Sequence, residues 1–159
     1  MNLNPFLAFL KTLGYLLRRR IHFPRDCIGE VLTMENGQGF VIFRQSIVNP
    51  SPGQLEKPGA IFRVRFHVAN MSPKQNKLFS LLPIPFFTGL PGFKSKLWTL
   101  NESNGDSQGI YEWETVQDAE NYADSFAMKF MKIRSVSGSV SYEIIPDRSM
   151  KEYLVSLRC

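Results

Sequence analysis

Residues 93–114 read FKSKLWTLNESNGDSQGIYEWE, and this stretch decides the fold. Two β-rich segments, Phe93 to Leu100 and Gly109 to Glu114, flank a polar run that is rich in turn-forming residues. This arrangement predicts two antiparallel strands joined by a turn at residues 101–108. Because side chains alternate along a strand, Tyr111 and Trp113 should point to the same face.

The residues before this strand pair predict one more strand and a helix. The strand is expected from Ile61 to Val68. The helix should begin after Ser72, which can cap it, with Pro73 at its first position. Pro83 and Pro85 should then interrupt or kink the helix.

The residues after the strand pair repeat this arrangement. Thr115 should begin a second helix, whose apolar face continues to Phe130. A strand is expected from Ser139 to Ile145, ended by Pro146, and a short helix from Ser149 to Leu157. The order β-α-β-β-α-β predicts an α+β, ferredoxin-like domain with a four-stranded antiparallel sheet and its helices on one face.

The other face of that sheet also carries apolar residues and therefore needs a cover. A partner subunit is one candidate, and a predicted hairpin at residues 28–48, with an Asn-Gly turn, is another. The loop at residues 49–59 is rich in proline and glycine, so we place a domain boundary there. Residues 1–59 are then an N-terminal extension, and residues 60–159 form the ferredoxin-like domain.

Residues 5–17 have the apolar spacing of a helix, and three arginines follow them. Residues 1–26 contain five basic residues and one acid, so they hold +4 of the net charge of +5. The stretch is too short to span a bilayer core, which needs about 20 residues. Its apolar face could enter a lipid surface while the arginines bind anionic headgroups. Alternatively, the helix docks on the domain or on a partner, or the stretch is disordered.

The composition argues against several classes of site. Cys27 and Cys159 form no CxxC pair and no Cys/His cluster, which argues against a metal site and a disulfide framework. The basic residues concentrate in the extension and not on a folded module, so we expect no nucleic-acid partner. We expect a cytoplasmic protein, with attachment to a membrane surface through residues 5–20 as an alternative.

The segment GLPGFKSKLWT at residues 89–99, followed by Gly-Ile-Tyr at 109–111 and a helix from Thr115, resembles the YdhR-like mono-oxygenase family. This family belongs to the dimeric α+β barrel superfamily, and the resemblance covers about residues 60–147. It implies a homodimer that forms an α+β barrel, with a pocket for a small apolar ligand. The superfamily includes cofactor-independent mono-oxygenases, haem-degrading enzymes and proteins without known activity, and fold alone does not choose among them.

The resemblance also implies candidate binding residues. Trp98 and Tyr111 match the family pattern, and Trp113 should join them in an aromatic wall for a planar apolar ligand. The hydroxyl of Tyr111 and the indole N–H groups would orient that ligand. The alternative is that all three rings simply pack in the core or at a dimer interface.

His67 is the only histidine of the predicted domain, so it is the candidate general base. Arg65, or Arg63 on the same face, would stabilise the resulting anion, and Asn70 is a further polar candidate. The alternative is that these are ordinary strand-edge and turn residues.

The leading interpretation is a small mono-oxygenase-like enzyme that acts on an apolar, aromatic substrate without a cofactor. Haem is a second option, for which His67 would have to be the axial ligand. The alternative function is a non-catalytic ligand-binding or self-association module, held at a membrane surface by its N-terminal helix.

Overall fold

A computed structural model describes residues 4–50 and 57–158 of the chain. The strands are β1 (Ile21–His22), β2 (Val31–Thr33), β3 (Gly39–Val48), β4 (Gly59–Phe66), β5 (Phe93–Leu100), β6 (Ser107–Trp113) and β7 (Ser141–Arg148). The helices of this described part are α1 (Pro5–Leu17), α2 (Pro73–Phe79), α3 (Ile84–Phe87), α4 (Val116–Ala123), α5 (Phe126–Arg134) and α6 (Met150–Leu157).

The strands form one antiparallel sheet in the order β1-β3-β5-β6-β4-β7, with β2 paired to β3. The four strands β5-β6-β4-β7 and the helices between them have the ferredoxin-like arrangement, so the predicted fold class is confirmed. The predicted hairpin is also present, because β2 and β3 pair across a turn in which Gly37 has a φ of +78°. The predicted boundary loop falls partly on residues outside the described ranges.

The extension contributes strands to the edge of this sheet. Strand β3 pairs with β5, and β1 pairs with the far end of β3. A register shift between Ile42 and Arg44 interrupts the β3–β5 pairing. The shift changes the alternation: Ile42 packs in the core of one sheet face, whereas Val48 packs in the core of the other. Such a bulge adds one residue to a strand and reverses the faces that follow it.

Each face of the sheet has its own apolar core. The first face, which includes Phe62, lies under the helices α3 to α5. The second face is covered by the chain's own β2 and α6, whose Leu32, Tyr153 and Leu154 pack against Ile61. The hairpin therefore supplies part of the predicted cover, and α6 supplies the rest.

Arg63 connects the elements that cover the second face. Its guanidinium donates to the Tyr153 hydroxyl on α6 at 2.8 Å and pairs with Glu35 beside β2 at 2.9 Å. It also pairs with Glu143 on β7 at 2.5 Å. One side chain thus holds the hairpin, the edge strand and the C-terminal helix together.

Two predicted elements need correction. The second helix is not continuous, because α4 ends at Ala123, with Asp124 as its C-cap. A new helix, α5, then begins where Ser125 accepts a hydrogen bond from the Met128 N–H. The last strand does not end at Pro146 but continues to Arg148. Proline is tolerated there because β7 is an edge strand, where a backbone N–H is not needed on the outer side. The predicted interruption by Pro83 and Pro85 is confirmed, since α3 is separate from α2.

Helix α1 packs on the domain through its small side chains. Ala8 and Thr12 are buried, and a Cβ atom on Gly89 would lie only 1.9 Å from the Ala8 carbonyl oxygen. Glycine at position 89 therefore allows the two backbones to approach closely. The large apolar side chains of α1 point outward, and Phe6 is 65% exposed.

Candidate functional site

A cavity of about 530 Å³ lies between the first face of the sheet and the helices. Strands β3 to β6 form its floor, and α2, α3, α4 and α5 form its walls. Its lining includes the aromatic rings of Phe43, Phe66, Phe86, Phe87, Trp98 and Tyr111. Its size and apolar lining are typical of a site for a small ligand.

The floor of the cavity follows from the pairing of β5 with β6. Lys96 lies opposite Tyr111, and Trp98 lies opposite Gly109, so all four residues face the cavity. Glycine at position 109 leaves room for the Tyr111 ring, because a Cβ atom there would lie 2.8 Å from the Tyr111 Cε2 atom. The phenol therefore lies close against the backbone of its own strand.

Two tyrosine hydroxyls meet in the cavity wall. Tyr122 on α4 donates a hydrogen bond of 2.8 Å to the Tyr111 hydroxyl, and both residues are almost fully buried. Burial raises the pKa of both phenols, and their closeness raises that of Tyr111 further. Both groups are therefore neutral at physiological pH. Since Tyr111 accepts from Tyr122, its own O–H proton remains available to donate to a ligand.

Lys96 brings an amine into these apolar surroundings. Its Nζ atom lies 4.2 Å from the ring centre of Trp98, 4.3 Å from that of Phe87 and 4.4 Å from that of Tyr111. Among residues 4–50 and 57–158, no carboxylate lies within ion-pair distance of this amine. Burial, with a smaller contribution from the charge of Arg44, lowers the pKa of Lys96 well below its usual value.

Arg44 lies beside the amine because of the bulge in β3. It pairs with Trp98 across the strands, and its guanidinium lies 5.7 Å from the indole ring centre. It donates to the Ser80 hydroxyl and to the Lys77 carbonyl oxygen, the latter at 3.1 Å. The guanidinium of Arg44 is therefore a fixed positive charge beside Lys96.

Two of the three rings expected to form an aromatic wall, Trp98 and Tyr111, line the cavity. Trp113 lies behind them, nearly parallel to the Tyr111 ring at 6.3 Å and 4.9 Å from the Tyr122 ring. Its indole N–H is buried and has no hydrogen-bond partner among the described residues. Trp113 thus supports the wall from behind and does not form its surface.

His67, Arg65 and Asn70 do not line the cavity. Phe66 at the end of β4 and Val68 after it do line the cavity, so Arg65 and His67, which alternate with them, point away from it. The His67 Nδ1 atom lies 3.0 Å from a carboxylate oxygen of Asp106, in the turn between β5 and β6.

Arg65 donates to the Gln38 side chain at 2.6 Å and stacks over the Phe40 ring, on the second face. Asn70 has a φ of +56°, which is typical of a turn position. The catalytic and binding roles expected for Arg65, Asn70 and His67 therefore stay predictions. None of these three side chains lines the cavity.

Sequence reasoning missed two residues of the cavity, Lys96 and Tyr122. The signal for Lys96 was available, because the residue lies two positions before Trp98 on a predicted strand and so shares its face. Tyr122 belongs to the apolar face of the helix that begins after Thr115. The hydrogen bond between the Tyr122 and Tyr111 hydroxyls depends on how α4 packs on β6.

The lining residues do not fit a haem that is held by a histidine. Of the two histidines, His67 lies outside the cavity beside Asp106, and His22 contacts the Asn49 side chain at 2.8 Å. Within the described ranges, no group of three or more His, Cys, Asp or Glu side chains is placed to hold a metal ion. In the same part of the chain, no helix is long and apolar enough to cross a membrane.

No protein-family model matches the chain, and no curated protein matches it either. Several solved structures do. One is an uncharacterised ferredoxin-fold protein of Listeria monocytogenes, related to antibiotic biosynthesis monooxygenases, with a TM-score of 0.53 and 16% identity over 77% of this chain and 71% of that chain. A monooxygenase-like protein of Listeria innocua has a TM-score of 0.51 and 11% identity, over 74% of this chain and 68% of that chain.

A third similar structure is a major regulator of staphylococcal pathogenesis, with a TM-score of 0.54 and 11% identity over 73% of this chain and 72% of that chain. At such identities the likeness concerns the fold, which these proteins use for more than one purpose. The chain shares the ferredoxin-like α+β fold of proteins related to antibiotic biosynthesis monooxygenases.

Proposed function

We propose that the chain is a small mono-oxygenase-like enzyme whose cavity binds an apolar, aromatic substrate. One observation carries this proposal: an aromatic-lined cavity of about 530 Å³ that contains a neutral hydroxyl donor and an amine. The apolar lining would select a planar, poorly soluble molecule. The few polar groups would orient the part of it that reacts.

The reaction we propose is the oxidation of an activated methylene group by dioxygen. The substrate R₂CH₂ and O₂ give the ketone R₂C=O and water, so no external reductant is consumed. The substrate must first lose a proton, because a carbanion reacts with dioxygen far more readily than the neutral molecule. Tyr111 would donate its hydrogen bond to the enolate oxygen that forms, and its link to Tyr122 would hold it in place.

The family resemblance refines this proposal. The segment at residues 89–99 and the Gly-Ile-Tyr strand support membership of the YdhR-like mono-oxygenases. The homodimer that this membership implies stays a prediction, which native mass spectrometry tests. A dimer formed through the second face of the sheet would require α6 to move, because α6 and β2 cover that face.

Oxygen uptake with anthrone as substrate tests the proposed activity. We expect Tyr111→Phe to lower kcat by about 10² to 10³, the usual effect of removing one oxyanion donor. Tyr142→Phe is the matched control, since Tyr142 lies on β7 and does not line the cavity. Equal rates for wild type and Tyr111→Phe would exclude the proposed role of the hydroxyl. No uptake and no quenching of tryptophan fluorescence by anthrone would count against the cavity as the binding site.

A second candidate function is a ligand-binding module held at a membrane surface, favoured by the outward face of α1. Phe6, Leu10 and Leu13 are 65%, 46% and 47% exposed, although helices of soluble domains usually bury such residues. The three arginines that follow α1 would bind anionic headgroups. Pro5 at the start of α1 also lines the cavity, so a lipid surface here would lie near the cavity's opening.

Co-sedimentation with vesicles tests this second function. We expect the full chain to bind vesicles of phosphatidylcholine and phosphatidylserine more than vesicles of phosphatidylcholine alone. Replacing Phe6, Leu10 and Leu13 by glutamine should abolish binding. Val155→Gln is the control, because Val155 is similarly exposed, at 64%, but lies on α6. Unchanged binding of the triple variant would rule out α1 as the anchor.

A further inference from the structure

We propose that Lys96 is the proton acceptor of this cavity, and that its ligand is a neutral apolar molecule with a weakly acidic hydroxyl or methylene group. The inference rests on the proposed function, since it needs the cavity to bind the ligand. It goes further by assigning the base and the chemical class of the substrate. Both assignments follow from what surrounds the amine.

The Lys96 amine is buried, and it has no acidic partner among the described residues. Lysine is rarely buried unless it is paired, because a desolvated ammonium is costly. The described residues offer Lys96 no carboxylate, and the nearest charge is the guanidinium of Arg44, which repels a second cation. These surroundings favour the neutral amine in the unliganded chain, and a neutral amine accepts a proton.

The surroundings of Lys96 also suit the product of the proton transfer. An ammonium at this position would lie over the Phe87, Trp98 and Tyr111 rings, at 4.2–4.4 Å from their centres. Cation–π attraction to these rings would stabilise it. The anion left on the ligand would stabilise it further. The cavity thus stabilises the ammonium form of Lys96 when an anion is formed beside it.

The proton balance is simple. For a hydroxyl ligand, R–OH and the Lys96 amine give R–O⁻ and the Lys96 ammonium, and nothing else is consumed. For an activated methylene, R₂CH₂ gives the carbanion, which adds O₂ to form a peroxide anion. The Lys96 ammonium returns its proton to that peroxide, which then loses water to leave R₂C=O.

Few other charged or titratable groups face the amine. Arg44 approaches from β3, Tyr111 from β6 and Tyr122 from α4, while Arg134 lines the cavity from α5. The described residues of α2 and α3 line the cavity only with amide, apolar and aromatic side chains. Both phenols stay neutral because burial raises their pKa values, so Lys96 is the group able to take a proton.

The test uses 2-naphthol, a planar phenol that is neutral at physiological pH and whose anion absorbs at longer wavelength than the neutral form. The full chain is mixed with this probe at a pH at which the free probe is neutral. Absorbance reports the ionisation of the bound probe, and a pH indicator in weakly buffered solution reports proton release. We expect wild type to bind the probe as its anion and to release no proton, because Lys96 retains it.

Two variants separate the possible roles. Lys96→Met should bind the probe in its neutral form, with an apparent pKa raised by about 1 to 3 relative to the wild-type complex. Lys96→Arg keeps a permanent cation that cannot accept a proton, so it should bind the anion and release one proton for each bound probe. Lys129→Met is the control, because Lys129 is exposed on α5. Circular dichroism verifies that each variant is folded.

Every outcome is decisive. Release of one proton by wild type would show that Lys96 is already an ammonium, and would overturn its role as acceptor. Anion binding by folded Lys96→Met would overturn it as well. If wild type does not bind the probe at all, the proposed ligand cavity fails and the inference fails with it. If the probe binds but the number of protons released differs from the expected number, the inference about Lys96 fails while the proposed ligand cavity stands.

Discussion

The buried amine of Lys96 should determine how the stability of the chain depends on pH. Burial, together with the charge of Arg44, lowers the pKa of this amine in the folded chain well below the usual value of about 10.4. In the unfolded chain the amine is exposed and has its usual pKa. Between these two values the unfolded chain binds the extra proton, so the stability of the folded chain rises as pH rises.

The substitution Lys96→Met isolates this effect, because methionine keeps the length and the apolar stem but cannot bind a proton. We expect the variant to be more stable than wild type at neutral pH. Its advantage should shrink with rising pH by up to about 1.4 kcal/mol per pH unit, the value of one proton difference. The advantage should level off near pH 10.4, where the unfolded amine also loses its proton. The phenols of Tyr111 and Tyr122 contribute equally to both proteins and cancel in the difference.

Urea unfolding, followed by tryptophan fluorescence at pH values from about 6 to about 10, gives the free energy of unfolding of each protein. The exposed Lys129→Met variant is the control for the removal of a lysine that is not buried. A constant difference for Lys96→Met would refute the reasoning. It would mean that the three rings hold Lys96 as a stable ammonium in the folded chain, and that burial does not make it neutral.

Three further predictions concern packing. Gly109→Ala should lower the free energy of unfolding by about 1–3 kcal/mol, because its Cβ atom would overlap the buried Tyr111 ring. Tyr122→Phe should cost about 1 kcal/mol through the lost hydroxyl bond, and a double-mutant cycle with Tyr111→Phe should give a coupling of about 0.5–1.5 kcal/mol. Leu154→Ala should cost about 2–5 kcal/mol, because Leu154 holds α6 on the second face.

The same urea assay measures all three. An unchanged midpoint for Gly109→Ala would show that the Tyr111 ring moves aside freely. Additive effects of Tyr111→Phe and Tyr122→Phe would show that the two hydroxyls do not interact. A cost below about 0.5 kcal/mol for Leu154→Ala, the range of ordinary surface substitutions, would show that α6 contributes little to the core.

Local signals in the sequence were sufficient to predict most elements of the domain. The alternating segment from Phe93 to Leu100 forms a strand over these residues, and Thr115 caps the helix that follows β6. The break before Ser125 was missed, although serine is a strong N-cap, because the apolar spacing runs through it. The continuation of the last strand through Pro146 depends on its edge position, which is set by the whole sheet and not by nearby residues.

The candidate site was predictable only in part. Trp98 and Tyr111 were predicted because they match the pattern of the resembling family on two predicted strands, and both line the cavity. His67 was predicted because it is the only histidine of the domain, but it lies just after β4, outside the cavity and beside Asp106. The alternation with Trp98 indicates which face Lys96 shares, but the burial of its amine depends on rings from α3, β5 and β6. This burial is a property of the packed molecule and could not be predicted from position 96 alone.

The covering of the second sheet face by α6 has a consequence for the folding of the chain. Each of the seven strands in the described part of the chain precedes α6 in the sequence, so the strands can pair with one another before α6 docks. In that interval Ile61, Leu97 and Ile110 are less than fully covered, and the apolar face is open to a chaperone or to a neighbouring chain. Docking of α6 closes the face within one molecule. The rate of this last step therefore helps to decide whether the face ends inside a monomer or between two chains.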